Sequence, residues 1–254
     1  MNRLAKLFSL EGRTALVTGG SSGIGYAFAH ALGRAGAKLV LAARRPVELA
    51  QAAARLAGEG VVARTVSADL STLPGVEHLI AEARGIGIDV LVNAAGMNLR
   101  QPFQEVSADA FDLHMAVHLR APFLLTQGLA PAMKQKGWGR IVNVASLQTW
   151  RAFPNSAPYG AAKAGVGQLT RAIAEAWSRY GITCNAIAPG FFETPLTAAV
   201  FADPARAAAN AAQTAIGRNG RLEDLDGAIV FLASDASAYV TGQILSVDGG
   251  FTAK

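Results

Sequence analysis

The chain has 254 residues, of which 51% are hydrophobic and only 16% are charged. This apolar composition suits a membrane protein or a large globular core, but no run reaches the roughly 18 consecutive apolar residues of a membrane-spanning helix. The net charge of +5 comes from basic residues scattered along the chain, with no nucleic-acid-binding motif. We therefore expect a soluble homo-oligomer that binds neither membranes nor nucleic acids.

The cysteine and histidine content limits the possible metal chemistry. Cys184 is the only cysteine, so an intrachain disulfide and a cysteine-based metal cluster are excluded. The four histidines are dispersed, and no metal site is expected. The N-terminal segment lacks the continuous apolar stretch and the cleavage site of a secretory signal. Together these features predict a cytoplasmic protein.

Short apolar or β-branched runs alternate with longer Ala-rich helical patterns along the whole chain. The runs are continuous, as expected for strands that are covered on both faces. This order predicts one α/β domain, residues 1–254, doubly wound around a mostly parallel seven-stranded sheet with helices on both faces. Strands are predicted at residues 14–18, 38–41, 61–66, 90–92, 140–144, 183–187 and 243–247, and helices at 25–34, 47–57, 108–133, 156–180, 196–212 and 222–232.

A glycine-rich loop, residues 18–25 (TGGSSGIG), lies between the first predicted strand and a helix. Glycines at such a turn let backbone N–H groups approach a pyrophosphate, and the helix N-terminus adds a favourable dipole. The spacing Gly-x3-Gly-x-Gly differs from both the usual dinucleotide fingerprint and the Walker loop. Because ligands of doubly wound sheets bind beyond the carboxyl ends of the strands, this loop predicts a nucleotide cofactor site.

This loop and the motifs that follow resemble the short-chain dehydrogenase/reductase family. The further motifs are NAAG at residues 93–96, Ser146, Tyr159-x3-Lys163, Pro189-Gly190 and VDGG at 247–250, in the family's order over essentially the whole chain. The resemblance implies a Rossmann-type domain, a dimer or tetramer, a small alcohol or ketone substrate, an NAD(P) cofactor and a mobile substrate lid at 196–212. It implies cofactor contacts from Gly19, Ser21, Ser22, Gly23, Ile24, Gly25, Asp69, Leu70, Asn93, Ala94, Gly96, Tyr159, Lys163, Pro189, Gly190, Phe192 and Thr194.

The end of the second predicted strand bears on the choice between NADP and NAD. Ala43 stands where the family's NAD-selective Asp is normally found, and Arg44 and Arg45 follow it. An arginine there can pair with a ribose 2′-phosphate, so we expect NADP rather than NAD. The alternative is that both arginines are solvated charges. Ser22 departs from the basic residue of many NADP-preferring relatives, and Asp69 can instead be a helix N-cap.

The reactive residues are predicted from a pair at helical spacing. Tyr159 and Lys163 are four residues apart, so their side chains share one helix face, and Ser146 follows an earlier strand. A free tyrosine has a pKa of about 10, which the Lys163 ammonium and an oxidised nicotinamide are expected to lower to about 7. The resemblance implies that Tyr159 exchanges a proton with the substrate oxygen, Ser146 orients that oxygen, and Lys163 also holds the nicotinamide ribose.

One position departs from the family's catalytic residues. His118 stands where relatives carry the Asn of a catalytic tetrad, whose backbone carbonyl contacts a water linked to the lysine. His118 can preserve that proton relay through its own carbonyl. Alternatively, its imidazole titrates near neutrality and adds pH dependence. A tolerated substitution with an unchanged backbone is the third interpretation.

The substrate is predicted less directly than the reaction. Residues 7–12, 188–192 and 240–250 look most like the gluconate 5-dehydrogenase branch, in which Arg100 matches a recurring arginine. That cation suits a sugar-acid carboxylate, although a solvated loop arginine is the alternative. The alternative functions are a 3-oxoacyl-thioester (acyl carrier protein) reductase, a hydrophobic ketone reductase and a non-catalytic NADP-binding sensor. The residues expected to form the substrate pocket are Arg100, Gln148, Trp150, Arg151 and Phe191.

Overall fold

Seven strands form one sheet in the computed structural model, which describes residues 2–253; residues 1 and 254 of the predicted domain lie outside that range. Every neighbouring pair of strands is parallel, and the order is β3-β2-β1-β4-β5-β6-β7. The predicted doubly wound sheet is therefore confirmed. The strands are β1 (Thr14–Thr18), β2 (Lys38–Ala43), β3 (Ala63–Ser67), β4 (Val90–Asn93), β5 (Gly139–Val144), β6 (Ile182–Pro189) and β7 (Ile244–Val247).

Helices cover both faces of this sheet. Consecutive residues of a strand point to opposite faces, so Ala15 and Val17 pack into one core while Leu16 packs into the other. Helices α2, α3 and α10 supply the first core, and α4, α6 and α7 supply the second. The helices are α1 (Arg3–Phe8), α2 (Gly23–Arg34), α3 (Pro46–Gly58), α4 (Leu73–Ile86), α5 (Ala108–Met115), α6 (Ala121–Lys136), α7 (Ala157–Trp177), α8 (Ala198–Phe201), α9 (Pro204–Gln213) and α10 (Asp226–Ala233).

The helical stretch predicted over residues 108–133 is observed, but a π-helical turn, Ala116–Arg120, interrupts it between α5 and α6. Pro122 stands in the first turn of α6 and has no backbone N–H. The carbonyl of His118, four residues earlier, therefore cannot make the regular α-helical hydrogen bond. The proline ring also crowds that carbonyl, which accounts for the widened turn.

The segment 196–212 is likewise two helices rather than one. Asp203 lies between α8 and α9 and is the N-cap residue of α9. Its carboxylate accepts hydrogen bonds from the Ala205 and Arg206 N–H groups. All ten residues of α9, which the structure describes, remain at least partly exposed. A helix that contributes so little to the core is held weakly, as a movable segment would be. Mobility of this segment stays a prediction.

The third strand also begins later than predicted, at Ala63 rather than at residue 61. Val61 is buried under α2, where its side chain fills the space that a Cβ on Gly33 would occupy. It precedes the residues that pair β3 with β2. Its apolar character therefore reflects burial in the core rather than strand pairing.

Candidate active site

A cavity of about 680 Å³ lies at the carboxyl ends of β1, β4, β5 and β6. The order of strands reverses between β1 and β4, which is where doubly wound sheets leave a crevice for a ligand. The structure brings most of the predicted site residues to this one cavity. The predicted residues that line it are Gly19, Ser22, Gly23, Ile24, Gly25, Ala94, Gly96, Arg100, His118, Ser146, Gln148, Tyr159, Lys163, Pro189, Gly190, Phe191, Phe192 and Thr194.

The glycine-rich loop is held against the end of β4 by close backbone contacts. Gly19 has a φ of 67°, and a Cβ there would lie 2.9 Å from backbone atoms of Ala94 and Ala95. A Cβ on Gly25 would lie 2.3 Å from the Gly19 carbonyl oxygen. The Thr18 hydroxyl oxygen accepts hydrogen bonds from the Ala94 and Ala95 N–H groups at 3.0 and 3.1 Å. Thr18, which the sequence analysis did not select, thus ties the loop to β4.

The N-terminus of α2 opens onto the same cavity. Ser22 is its N-cap residue, yet its side chain makes no capping hydrogen bond within the described residues. The first-turn N–H groups of this helix are therefore available to an anion, and the helix dipole favours negative charge there. The cavity continues from this end to Tyr159 and Lys163. This arrangement fits a pyrophosphate-containing dinucleotide.

Arg44 and Arg45 lie outside the cavity lining and differ in their partners. The Arg45 Nε lies 2.9 Å from a Glu48 carboxylate oxygen, so this charge is already paired. Arg44 is exposed at the end of β2, and it forms no ion pair among residues 2–253. Of the two predicted selectors, Arg44 is the one that is free for a phosphate.

Asp69 is not the N-cap of α4, since Thr72 holds that position and its hydroxyl accepts from the Gly75 N–H group. The Asp69 carboxylate instead accepts hydrogen bonds from the Ser71 N–H and hydroxyl groups at 3.0 and 2.7 Å. Burial alone would raise the pKa of Asp69, but these hydrogen bonds and the nearby Arg44 charge hold it below its usual value. The alternative role of Asp69 as a helix N-cap is therefore wrong. Its carboxylate instead lies near the Arg44 charge.

Three other predicted cofactor residues lie in the packed surroundings of the site rather than on the cavity wall. Ser21 and Leu70 are buried. Asn93 points into the sheet interior, where its amide donates a 2.8 Å hydrogen bond to the Asn143 side chain. They hold the loops in place, so any cofactor contact would come from their backbone.

The predicted catalytic trio, Ser146, Tyr159 and Lys163, is assembled from the end of β5 and from α7. Ser146 follows β5 and its hydroxyl oxygen accepts a 3.2 Å hydrogen bond from the Gln148 N–H group. Tyr159 and Lys163 are both buried on the face of α7 that lines the cavity. The Ser146 hydroxyl lies near enough to Tyr159 to act on the pKa of its hydroxyl. The Lys163 ammonium donates to the Val144 carbonyl and lies 5.6 Å from the centre of the Tyr159 ring.

Burial governs the ionisation of this trio in the protein alone. It raises the pKa of Tyr159, which the Ser146 hydroxyl and the Arg100 charge only partly offset. Burial also lowers the pKa of Lys163 from 10.5 to about 7. The predicted lowering of the Tyr159 pKa by Lys163 is therefore not a property of the chain by itself. Charge brought in by a bound ligand is needed to favour the phenolate.

His118 lies edge-on to Tyr159, with the ring centres 5.2 Å apart. Its Nε2 atom lies 2.8 Å from the Met97 carbonyl oxygen. Burial, followed by the Lys163 charge, lowers the pKa of His118 well below its usual value. The alternative that His118 titrates near neutrality is therefore wrong. The interpretation that its backbone carbonyl serves the relay gains support, because Pro122 offers that oxygen no N–H partner.

The substrate side of the cavity combines a cation with aromatic rings. Arg100 lines the cavity, and its charge opposes part of the rise that burial causes in the pKa of Tyr159. Gln148 lies on the same wall. Phe191 packs edge-on against Phe153, with the ring centres 6.0 Å apart. The site can therefore hold a carboxylate and an apolar surface within reach of the tyrosine hydroxyl.

Trp150 and Arg151 do not line this cavity, which corrects the prediction from their closeness to Ser146 in sequence. The 3₁₀ turn Leu147–Thr149 carries the chain to the other side of Phe153, where both residues line a separate groove. Half of the Trp150 surface is exposed, and the Arg151 guanidinium lies 5.1 Å from the centre of the Phe251 ring.

Comparison with known proteins agrees with this geometry. Residues 19–252 match a family model described as Enoyl-(Acyl carrier protein) reductase. A Gluconobacter oxydans protein named gluconate 5-dehydrogenase is 42% identical, and the match covers 97% of each chain. This chain belongs to the short-chain dehydrogenase/reductase family. The 5-keto-D-gluconate 5-reductase of Escherichia coli K12 is 36% identical over 96% of this chain and 97% of its own.

Solved structures extend the match to the fold. A gluconate 5-dehydrogenase from Burkholderia cenocepacia, in complex with NADP and tartrate, superposes with a TM-score of 0.94 at 39% identity. The match covers 99% of this chain and all of the other. The resemblance drawn from the sequence motifs is therefore confirmed at the level of the family.

Several residues of this short-chain dehydrogenase/reductase line the cavity without having been predicted. Asn98 donates a 3.2 Å hydrogen bond to the Ser156 hydroxyl, and Asn155 has a φ of 59°. Asn is one of the few side chains that tolerate this backbone region, so Asn155 carried a weak sequence signal. Arg206 and Asn210 reach the cavity from α9, where a spacing of four puts them on one face.

The described residues also bear on metal binding and on membrane insertion. Within residues 2–253, no group of three or more His, Cys, Asp and Glu side chains is placed to hold a metal ion. None of the helices described in that range is long and apolar enough to cross a membrane.

Proposed function

We propose that this chain is an NADP-dependent oxidoreductase that interconverts a sugar acid, gluconate, and its 5-keto form. The observation that carries the proposal is the position of Arg100, whose charge acts on the Tyr159 hydroxyl within one cavity. A guanidinium so placed can anchor the carboxylate of a short polyhydroxy acid while its carbinol group reaches Tyr159. The names of the Gluconobacter and Escherichia relatives favour the same substrate class.

Tyr159 is the proton acceptor in alcohol oxidation and the proton donor in ketone reduction. In oxidation, the substrate O–H bond breaks and its proton moves to the Tyr159 oxygen, while the carbinol C–H bond breaks and a carbonyl forms. When bound, NADP supplies the hydride acceptor or donor. Ser146 donates a hydrogen bond to the substrate oxygen and so favours the orientation in which transfer occurs. Lys163 in its protonated form adds the positive charge that stabilises the phenolate, whereas its neutral form does not.

NADP rather than NAD is supported by Arg44. This guanidinium is exposed, forms no ion pair among the described residues although the Asp69 carboxylate lies near it, and follows Ala43 at the end of β2. A 2′-phosphate offers it a bidentate partner, whereas an unphosphorylated ribose does not. The Burkholderia relative was solved with NADP, which fits this preference.

His118 is proposed to serve the proton relay through its backbone carbonyl rather than through its imidazole. Its lowered pKa keeps the ring neutral at physiological pH, so the ring adds no charge beside Lys163. The π-helical turn leaves the carbonyl without the regular partner at Pro122. That oxygen can therefore accept a hydrogen bond from a water that also contacts the lysine.

Initial rates with a substrate panel test the function. NADP⁺ and NAD⁺ are compared with gluconate, other sugar acids and polyols, and NADPH is offered 5-ketogluconate, a 3-oxoacyl thioester and simple hydrophobic ketones. We expect turnover of gluconate and 5-ketogluconate with the phosphorylated cofactor, and a higher KM for both in Arg100→Met. Turnover confined to thioesters or hydrophobic ketones would refute the sugar-acid assignment but retain the reaction class. A complete absence of turnover, with NADP still bound, would favour a sensor.

A hydrophobic ketone is the second candidate substrate, because one wall of the cavity is aromatic. Phe153 and Phe191 line the cavity, and both pack against Phe251 with ring centres 6.3 and 5.7 Å away. Such a wall suits the apolar face of a sugar and an alkyl or aryl ketone alike. The panel separates the two.

A cytoplasmic homo-oligomer completes the proposal. Phe103, Phe111 and Phe123 are all more than one-third exposed near or on α5 and α6, which is typical of a protein interface. A dimer or tetramer measured by light scattering would support this surface as the contact, whereas a monomer would contradict it. The single cysteine is buried, so the chain suits a reducing compartment, and cell fractionation tests this location.

A further inference from the structure

We propose that His114, together with His118, clamps the loop at residues 97–99 and thereby places the Arg100 guanidinium in the catalytic cavity. His114 is a positioning residue in this scheme, since it touches neither the cavity nor Tyr159 but acts through Arg100. That the affected substrate is an anion rests on the proposed function. The clamp itself does not.

The two imidazoles bind adjacent parts of one loop. Both rings are almost fully buried, and they stack with their centres 6.1 Å apart. The Leu99 N–H group donates a hydrogen bond to His114 Nε2 at 3.4 Å. The Met97 carbonyl oxygen lies 2.8 Å from His118 Nε2. His114 and His118, which lie on successive helical turns, thus hold the residues that immediately precede Arg100.

The hydrogen-bond partners assign opposite tautomers to the two rings. His114 Nδ1 lies 2.7 Å from the Ala110 carbonyl oxygen, so it carries the proton and leaves Nε2 as the acceptor for Leu99. His118 Nε2 lies 2.8 Å from the Met97 carbonyl oxygen and 3.4 Å from the Met97 nitrogen, and the shorter contact assigns the proton of that ring to Nε2. Its Nδ1 has no partner among the described residues, so the hydrogen bonding of His118 is directed at Met97 alone.

The loop needs such support because Arg100 has an unfavourable backbone conformation. Its φ is 51°, a left-handed region in which a long side chain is uncommon and which costs free energy to maintain. The Asn98 side chain accepts a 3.2 Å hydrogen bond from the Arg100 N–H group and donates another to the Ser156 hydroxyl. The clamp and this turn together hold the arginine backbone in the conformation that directs its side chain into the cavity.

The clamp also has a steric component. A Cβ on Gly96 would lie 3.0 Å from His118 Cε1, so a larger residue at this position would push the loop and the imidazole apart. The loop, the two rings and the arginine therefore form one packed unit. Loosening any part of it moves the cation that faces Tyr159.

Two substitutions of His114 separate its contacts. The amide of Asn coincides roughly with the imidazole Nδ1 position and that of Gln with Nε2, so His114→Asn keeps the Ala110 contact and loses Leu99. His114→Gln keeps an acceptor for the Leu99 N–H group. We avoid His118 for this test because its ring contacts Tyr159 directly. His78→Asn, at an exposed position on α4, is the matched control.

Steady-state kinetics with gluconate and NADP⁺ provide the first measurement. His114→Asn is expected to raise KM for gluconate about three- to tenfold, the typical loss for one neutral hydrogen bond, with a smaller change in kcat. His114→Gln should restore most of the loss. In an Arg100→Met background, His114→Asn should have no further effect on KM. Additive effects of the two substitutions would overturn the proposal, as would equal losses in the Asn and Gln variants.

Hydrogen exchange of the Leu99 amide provides the second measurement and needs no substrate. In His114→Asn this amide should exchange about tenfold faster than in the wild type, while amides in β1 remain unchanged. Unaltered exchange would overturn the clamp. If the wild type does not turn over gluconate, the proposed function fails, and the exchange experiment still decides whether the clamp exists.

Discussion

Replacing Lys163 with Met tests whether burial of this lysine lowers the stability of the folded protein. The side chain is buried, and burial lowers its pKa from 10.5 to about 7. Between these values the unfolded chain carries a proton on Lys163 that the folded chain has lost. Stability of the wild type must therefore rise with pH in this window, by about 1.4 kcal/mol per pH unit. The Met variant lacks this contribution.

The expected difference follows from that slope. Between pH 7.5 and 9.5, the free energy of unfolding of the wild type should increase relative to Lys163→Met by about 2.5 kcal/mol. The lost hydrogen bond to the Val144 carbonyl does not depend on pH and cancels from this comparison. At pH 7.5 the variant should be the more stable protein, because the wild type must release the Lys163 proton on folding, and that cost outweighs one hydrogen bond.

Urea denaturation of the cofactor-free proteins, followed by circular dichroism at one protein concentration, measures this difference. Lys38→Met removes an exposed ammonium from β2 and should follow the wild type at both pH values. A wild-type-minus-variant difference that stays constant between pH 7.5 and 9.5 would refute the argument. It would mean that Lys163 stays charged in the folded protein at both pH values.

Three further predictions concern the reaction itself. Tyr159→Phe should lower kcat by about two to four orders of magnitude, while the affinity for NADP, measured by fluorescence titration, changes little. A kcat of the variant equal to that of the wild type would exclude Tyr159 as the acid/base. Arg44→Ala should lower kcat/KM for NADP⁺ about tenfold or more and leave NAD⁺ nearly unaffected; equal losses would contradict a 2′-phosphate contact. Arg100→Met should raise the pKa of Tyr159, because the Arg100 charge lowers it in the wild type. Since oxidation needs the phenolate, the acidic limb of the kcat/KM profile should move to higher pH, and an unmoved limb would contradict this influence.

The sheet and the meeting of Ser146, Tyr159 and Lys163 in one cavity could be predicted because each has a local physical signature. Strands covered on both faces need continuous apolar runs, and β1 and β5 coincide with the predicted runs to within one residue. Gly19 and Gly25 stand where the backbone leaves no space for a Cβ. Tyr159 and Lys163 share a helix face by spacing alone. Such constraints act over a few residues, so they can be read without knowing the rest of the fold.

The remaining features depend on contacts between distant parts of the chain. Trp150 and Arg151 follow Ser146 in sequence, but a single 3₁₀ turn takes them out of the cavity. Arg206 reaches the cavity only because α9 packs beside it. The π-helical turn at residues 116–120 had one local sequence signal, Pro122. The regular helical pattern of the surrounding residues concealed that signal.

The pKa shifts of Tyr159 and Lys163 oppose the charged forms of both groups. Burial raises the pKa of Tyr159 and lowers that of Lys163, so the protein alone disfavours the ion pair that proton abstraction requires. The groups that oppose burial at Tyr159 are Ser146 and Arg100, both of which face the substrate. Arg100 in turn depends on a strained backbone held by neighbouring side chains. A tyrosine near the surface would avoid these costs, but water would then compete for its proton and screen the charges that tune it. The buried lysine and the strained arginine are therefore destabilising features that the large core on both sides of the sheet offsets.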